Sequence, residues 1–219
     1  CAVPEIQRVR LGSLEPEQLT PSVIDRLAKQ QKLCPQFHLS LQSGCDRTLK
    51  RMNRHYTADE YRTIVRNLRH VFPNAAITTD IMVGFAGETK EEFQESLAFA
   101  KEMAFAKVHV FAYSRRPGTR AADFPGQITR AEKERRSHRM AATAQKTRTA
   151  FLQEQVGRTE PVLFERQKET GVYEGYTPNY TPVMVASGNI LSGKILPVKI
   201  NDALSDCCSG TLDKTDSME

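Results

Sequence analysis

The sequence predicts an α/β unit with a parallel sheet followed by a small all-β barrel, and three observations support this fold class. Strand-like and helical segments alternate four times before residue 125, which is typical of parallel strands joined by crossover helices. A long helical segment over residues 129–156 follows Pro125 and Gly126. Short strand-like runs with Gly, Pro and Asn turns then occupy roughly 60 residues, as in a small β-barrel.

The composition indicates a globular protein and excludes several other classes. Of the 219 residues, 39% are hydrophobic and 26% are charged, which is normal for a soluble domain, and no apolar run approaches a membrane span. The five cysteines lack Cys-x-x-Cys spacing and no secretory signal opens the chain, so we expect a cytoplasmic protein. The net charge of +5 is compatible with a polyanionic partner. Because the chain opens with Cys1 and not with Met, we expect that Cys1 is not the natural start.

Alternation and capping signals define the individual elements. Parallel strands are predicted over residues 8–14, 37–43, 76–83 and 107–114, and a short basic helix over 47–54. Helix starts are marked by Thr20 before Pro21 and by the capping-box pairs Thr57/Glu60 and Thr89/Glu92. In the all-β part, strands are predicted over 161–164, 171–173, 183–186 and 194–200.

The third strand breaks at the sequence Gly84-Phe85-Ala86-Gly87, and a helix follows at once. Two glycines let the backbone turn sharply and approach a ligand closely. Ligands of α/β folds bind at this end of the strands, so the turn is a candidate ligand loop. The alternative is a turn that only connects strand to helix. The spacing matches neither a dinucleotide fingerprint nor a phosphate-binding Walker loop.

One face of the predicted sheet is unusually polar. Alternate positions on the four strands share this face: Arg8, Arg10 and Gly12; His38, Ser40 and Gln42; Thr78, Asp80, Met82 and Gly84; and His109, Phe111 and Tyr113. Burying such groups is costly unless they contact each other or a polar ligand. We therefore predict a polar ligand site inside a curved parallel sheet, the alternative being a satisfied internal network. His38 and His109 are either metal ligands or bases, or are simply hydrogen-bonded, and the cysteine spacing indicates no metal or cluster site.

Five blocks of sequence, in order and suitably spaced, resemble the radical-SAM methylthiotransferases. The blocks are Arg10-Leu-Gly-Ser-Leu-Glu-Pro16, His38-Leu-Ser-Leu-Gln-Ser-Gly44, Leu49-Lys-Arg-Met-Asn-Arg-His-Tyr56, Thr79-Asp-Ile-Met-Val-Gly-Phe-Ala-Gly-Glu-Thr89 and Tyr113-Ser-Arg-Arg-Pro-Gly-Thr119. The all-β part resembles the TRAM domain of that family, a small RNA-binding barrel. Segments 40–46 and 175–180 look most like the enzymes that methylthiolate threonylcarbamoyladenosine beside the tRNA anticodon. Enzymes for isopentenyladenosine and for a ribosomal protein are the sibling alternatives. Ala86 and Ser40 stand where proline is common in the family, without contradicting the resemblance.

The resemblance implies chemistry that this chain supports only in part. The full-length enzyme uses S-adenosylmethionine and two [4Fe–4S] clusters, and it abstracts hydrogen from adenosine C2 before sulfur and a methyl group are added. The N-terminal cluster domain and the Cys-x-x-x-Cys-x-x-Cys loop of the family have no counterpart here. This chain thus resembles the second half of a partial, open TIM-like radical-SAM barrel plus the TRAM barrel. We expect that it binds no cluster and is inactive alone, with tRNA and the missing N-terminal half as its partners.

The resemblance also assigns candidate site residues by position. Those for S-adenosylmethionine and nucleoside are Ser13, Glu15, Gln42, Ser43, Asp80, Gly84, Phe85 and Tyr113. Those for RNA are Arg115, Arg116 and Arg120 near the site mouth, and Lys168, Tyr173, Tyr176 and Tyr180 in the barrel. Each tyrosine of the barrel could instead belong to its core.

The expected organisation is a half-barrel over residues 1–126, a connecting basic helix over 127–149, a TRAM barrel over 150–213 and a frayed tail over 214–219. An alternative from another class is a stand-alone RNA-binding module with a vestigial barrel. An aldolase-type enzyme would need a Schiff-base lysine on a strand, and in the first domain only Lys107 is predicted on one, at a strand start.

Overall fold

Four parallel strands form the first sheet in a computed structural model, which describes residues 1–213. The strands are β1 (Ser13–Leu14), β2 (Gln36–Leu39), β3 (Ala76–Val83) and β4 (Lys107–Ala112), and they lie side by side in chain order. The predicted fold class is confirmed, because this open parallel sheet is followed by a closed five-stranded barrel. The predicted frayed tail lies outside the described residues.

Five α-helices connect the strands and join the two units. They are α1 (Pro21–Ala28), α2 (Asp46–Arg51), α3 (Ala58–Val71), α4 (Lys90–Met103) and α5 (Arg130–Gln153), with 3-10 turns at Pro16–Gln18 and Arg120–Asp123. The predicted caps are present: Thr20 accepts a hydrogen bond from the Val23 amide, and Thr57 and Thr89 each form a full capping box. Across residues 1–213, none of the helices is both long and apolar enough to span a bilayer.

The two faces of the parallel sheet have opposite character, as the alternation predicted. Phe37, Leu39 and Ile81 are fully buried against the helices. The opposite face, here called the open face, comprises His38, Thr78, Asp80, Met82, His109 and Phe111. Phe111, on the edge strand β4, is 51% exposed and the Asp80 side chain is 30% exposed, so this face is partly open to solvent.

The first strand is much shorter than predicted. Only Ser13 and Leu14 pair with β2, and Val9 makes a single bridge to Leu33. The reason is that Arg8 and Arg10 leave the sheet face and bind the C-terminal β-barrel. Arg8 donates to the Tyr176 carbonyl at 3.0 Å. The prediction that these two arginines line the ligand face is therefore wrong.

The barrel contains one strand more than the sequence predicted. Its strands β5 (Thr159–Glu169), β6 (Val172–Tyr176), β7 (Pro182–Ala186), β8 (Ile195–Ala203) and β9 (Cys208–Leu212) close in the order β5-β6-β7-β9-β8. The unpredicted strand β9 has the sequence Cys-Ser-Gly-Thr-Leu, which lacks apolar alternation. A side chain at Gly210 would meet Val198 Cγ1 at 2.5 Å, so the closure requires glycine there.

Helix α5 contacts both units. Arg136 and Met140, near its start, are buried against the α/β unit, whereas Phe151 and Leu152 in its last turn join the core of the barrel. The helix thus continues beyond residue 149, where the expected connecting segment ends. Its terminal turn is part of the barrel's hydrophobic core.

Candidate nucleoside site

A cavity of about 470 Å³ lies at the carboxyl ends of the parallel strands, and we call it the strand-end cavity. Its walls come from four separate segments, which the fold brings together: Gln42, Lys50, Arg51, Met52, Asn53, Arg54, Met82, Phe85, Tyr113, Arg120, Ala121 and Phe124. Gln42, Phe85, Tyr113 and Arg120 are among the residues predicted from the sequence. The volume lies within the usual range for small-molecule sites.

Gln42 enters the cavity because the chain turns sharply after β2. Its φ is 66°, a left-handed conformation that is unusual for a residue other than glycine. The turn is fixed by hydrogen bonds to β3, where the Gln42 amide donates to the Asp80 carbonyl at 2.8 Å and the Met82 amide donates to the Gln42 carbonyl at 2.9 Å. Strained backbone held by its surroundings is common at ligand sites.

Phe85 and Tyr113 form an aromatic wall. Their ring centroids are 5.0 Å apart in an edge-on arrangement, and the side chains are only 5% and 8% exposed. Phe124 packs edge-on against Phe85 at 6.2 Å. The Tyr113 hydroxyl is buried and has no hydrogen-bond partner among the described residues. Because buried polar groups are nearly always satisfied, this hydroxyl points to a ligand.

The glycine turn that carries Phe85 is held from behind by helix α5. Glu88 accepts a hydrogen bond from the Gly84 amide at 2.7 Å and from Arg136 Nη1 at 2.5 Å. Lys133 donates to the Tyr113 carbonyl at 2.9 Å and packs against Gly84. The loop is therefore fixed by side chains from a helix that follows it by about 45 residues in sequence.

Basic residues surround one side of the cavity. Lys50, Arg51 and Arg54 come from the end of α2 and the turn after it. Arg54 pairs with Glu15, one of the predicted residues, at 2.9 Å, so Glu15 contacts a wall residue of the cavity without lining it. The sequence had indicated a basic helix here but had not assigned it to the site.

The other predicted residues take varied positions. Ser43 is fully buried and its hydroxyl accepts from the Cys45 amide at 3.3 Å, so it does not line the cavity. Ser13 is exposed on β1, opposite His38. Gly84 does not line the cavity, and its amide donates to Glu88. The side chain of Arg115 is 61% exposed and lies 3.9 Å from Asp123, and Arg116 is also exposed.

Asp80 lies on the open face, between His38 and His109. It precedes the cavity-lining residue Met82 by two positions on β3. Its carboxylate is 3.4 Å from His38 Nε2. The His38 ring lies 5.9 Å from the His109 ring. Partial desolvation in the sheet, together with the nearby Lys107 charge, lowers the pKa of His109.

Tyr176 and Tyr180 stack on each other at the opposite end of the parallel strands. Their ring centroids are 4.4 Å apart, and the guanidinium of Arg10 lies 4.1 Å from the Tyr180 centroid. Tyr180 thus contacts both Tyr176 and Arg10, and it is still 43% exposed. These tyrosines line a second cavity with Ala76 and Thr78, at the amino end of β3.

Tyr173 and Lys168 complete the set predicted for RNA. Tyr173 is 5% exposed within the barrel core, which is the alternative that the sequence left open. Lys168 is half-exposed and lies 3.4 Å from Glu174, which also binds Arg166. Lys168 therefore remains accessible from the surface, whereas Tyr173 does not.

Comparison with known proteins finds similarity to radical SAM enzymes in sequence and fold. Residues 6–100 match the sequence model of the Radical SAM superfamily. The chain resembles coproporphyrinogen III oxidase (HemN) from Escherichia coli, a radical SAM enzyme, with a TM-score of 0.51 and 13% identity over 78% of this chain and 46% of that chain. This likeness concerns the fold alone.

Similarity in sequence extends further. The tRNA-2-methylthio-N(6)-dimethylallyladenosine synthase of Pelotomaculum thermopropionicum is 36% identical over 90% of this chain and 45% of that protein. The threonylcarbamoyladenosine tRNA methylthiotransferase MtaB of Bacillus subtilis is 35% identical over 89% of this chain and 44% of that protein. The chain spans a little under half the length of these relatives. It is therefore related to tRNA methylthiotransferases of two substrate classes, and its parallel sheet has a radical-SAM fold.

Proposed function

We propose that this chain forms one side of the nucleoside site, together with the RNA-binding barrel, of a tRNA methylthiotransferase. The strand-end cavity carries the proposal. It combines an aromatic wall, a buried hydroxyl without a partner and a basic rim, in a chain similar to such enzymes. Such an enzyme acts in the cytoplasm, where tRNA is modified.

The cavity residues suit a purine nucleoside or S-adenosylmethionine. A purine stacked on an aromatic side chain gains roughly 1–3 kcal/mol, and Phe85 is positioned to provide that surface. The Tyr113 hydroxyl would hydrogen-bond a ring nitrogen or a ribose hydroxyl. The Gln42 amide offers a donor and an acceptor on the other side. Together these groups would orient the base and exclude water from it.

S-adenosylmethionine with a reduced [4Fe–4S] cluster would supply radical chemistry at the adenosine base. Within residues 1–213, no three cysteines come together as a ligand set. The described residues therefore offer no ligand set for an iron–sulfur cluster. We propose that the part of the relatives that this chain does not span supplies both clusters. That N-terminal part would be the partner that completes the barrel.

We propose that tRNA approaches the cavity across Arg115, Arg116 and Arg120. All three are exposed and follow directly after β4, so they can contact phosphates without unfolding. Lys168 and Tyr176 of the barrel would form a second contact region. Stacking of a base on the Tyr180 face that Arg10 covers would first require Arg10 to move.

We propose N6-threonylcarbamoyladenosine as the substrate, with the dimethylallyl nucleoside as the alternative. The choice rests on segments 40–46 and 175–180, and Gln42 in the first of these lines the cavity. Relatives named for both nucleosides have similar identity to this chain. A substrate assay is therefore the direct test.

A chimera provides that assay. This chain replaces the matching half of the Bacillus subtilis relative, and the chimera is expressed in a strain that lacks both methylthiotransferases. Mass spectrometry of the tRNA nucleosides should reveal the 2-methylthio derivative of threonylcarbamoyladenosine. The matched control is the same chimera with Tyr113→Phe, which should be folded but at least about tenfold less productive. The 2-methylthio dimethylallyl product would favour the sibling substrate, and a folded chimera that binds tRNA without modifying it would favour an RNA-binding module.

A further inference from the structure

The open face of the sheet brings two histidines and one carboxylate together at mid-strand. The ligand atoms of His38, Asp80 and His109 all lie within 4.8 Å of one another. They come from three adjacent strands, because Asp80 pairs with His109 across β3 and β4, and His38 lies beside Thr78 on β2. None of the three lines the strand-end cavity.

The contact between His38 and Asp80 is too long for an ordinary hydrogen bond. Nε2 and Oδ2 are 3.4 Å apart, whereas N–H···O bonds usually span about 2.7–3.2 Å. Two ligands about 2.1 Å from a tetrahedral ion lie roughly 3.4 Å apart, so the separation suits a shared metal. His109 is exposed and can close the remaining gap by turning its side chain.

The second ring nitrogen of His38 has a hydrogen-bond partner, as is usual for a histidine that binds a metal. Its Nδ1 lies 3.0 Å from Thr78 Oγ1, and Gln36 Nε2 donates to the same oxygen at 3.3 Å. When Nδ1 carries the proton and donates it to Thr78, the Nε2 lone pair points toward Asp80. Metal-binding histidines almost always have such a partner on the second ring nitrogen.

We infer that His38, Asp80 and His109 bind a divalent first-row transition-metal ion on the open face. Two imidazoles and one carboxylate are the donor set of zinc and non-haem iron sites. Three protein ligands leave at least one coordination position open, and the open face gives it access to solvent or a ligand. The site is separate from any iron–sulfur cluster, because it contains no thiolate.

Titration of the chain with Co²⁺ tests this site without requiring any enzyme activity. One equivalent should bind, with the weak visible bands of nitrogen and oxygen ligation and without intense thiolate-to-metal absorption. His38→Ala and the isosteric Asp80→Asn should each weaken binding at least about tenfold. His70→Ala removes an exposed histidine from the end of α3 and should change nothing. Circular dichroism of each variant checks that the sheet remains folded.

Three results would overturn the inference. Absence of binding to the folded chain is one, and equal affinity in the folded His38→Ala and Asp80→Asn variants is another. The third is binding that disappears when the accessible thiols of the folded chain are alkylated, since this would assign the ion to Cys1 or Cys207. Zn²⁺ should displace bound Co²⁺ from the proposed site with the same dependence on His38.

Discussion

Glu88 and Arg136 form a buried ion pair between the glycine turn and helix α5. Arg136 Nη1 lies 2.5 Å from Glu88 Oε2, and the two side chains are 4% and 1% exposed. The same carboxylate oxygen accepts the Gly84 amide. Helix α5, which follows the last strand of the parallel sheet, therefore fixes the position of the turn that carries Phe85.

We expect Arg136→Ala to destabilise the chain by about 3–5 kcal/mol, because it leaves the Glu88 carboxylate buried without a counter-charge. Urea denaturation followed by circular dichroism measures the change. Arg130→Ala is the matched control, since Arg130 is 93% exposed in its pair with Glu134 and its loss should not be measurable. A loss under about 1 kcal/mol for Arg136→Ala would show that Glu88 does not need its partner.

Gly84→Ala should be destabilising by more than about 1 kcal/mol, because Gly84 has φ 71° and an added Cβ would meet Lys133 Cγ at 2.5 Å. Gly188→Ala is the control, since nothing lies within 4 Å of its Cβ position. Adding Lys133→Ala should relieve the steric part of the cost and leave the conformational part. Thermal melts of the three variants separate these contributions, and an unchanged Gly84→Ala melting temperature would contradict the geometry.

Tyr113→Phe should leave the stability of the free chain unchanged or slightly raised, because the buried hydroxyl has no partner to lose. Denaturant unfolding of the chain measures this directly. In the chimera the same change should lower nucleoside modification. A clear loss of stability would mean that the hydroxyl is already hydrogen-bonded within the chain.

Replacing Arg115, Arg116 and Arg120 together by alanine should weaken binding of an anticodon stem-loop and flatten its salt dependence. Each lost phosphate contact should reduce the slope of log affinity against log salt by roughly 0.7–0.9. Stability should not change, because all three side chains are exposed. The triple variant Arg26→Ala/Lys29→Ala/Lys101→Ala removes the same number of exposed positive charges outside the cavity and is the charge-matched comparison. An equal effect of both sets would indicate binding through net charge alone.

Cys208 should resist alkylation in the folded chain. Burial raises the pKa of its thiol to about 11, and the side chain is fully buried in the barrel core. Since the thiolate is the reactive form, the raised pKa keeps the buried thiol almost entirely protonated at pH 8 and slows its reaction. Peptide mapping after iodoacetamide treatment should show Cys1 labelled first and Cys208 only after unfolding. Early labelling of Cys208 would show that β9 opens readily.

The sequence alone determined the elements whose signals are local. The caps at Thr57 and Thr89, the glycine break after β3 and the alternation on β3 each depend on residues within a few positions of one another. These signals predicted the order of strands and helices. They also placed Phe85 and Tyr113 at the strand ends, where the cavity lies.

Tertiary contacts decided the rest, because they join residues that are far apart in sequence. Arg8 and Arg10 alternate as in a strand. Carbonyl groups and an aromatic ring of the C-terminal β-barrel bind them instead, and β1 is therefore short. β9 lacks apolar alternation, and its pairing with β7 and β8 forms it. Glu88 finds its counter-charge 48 residues away on α5, a distance over which no sequence pattern specifies a contact.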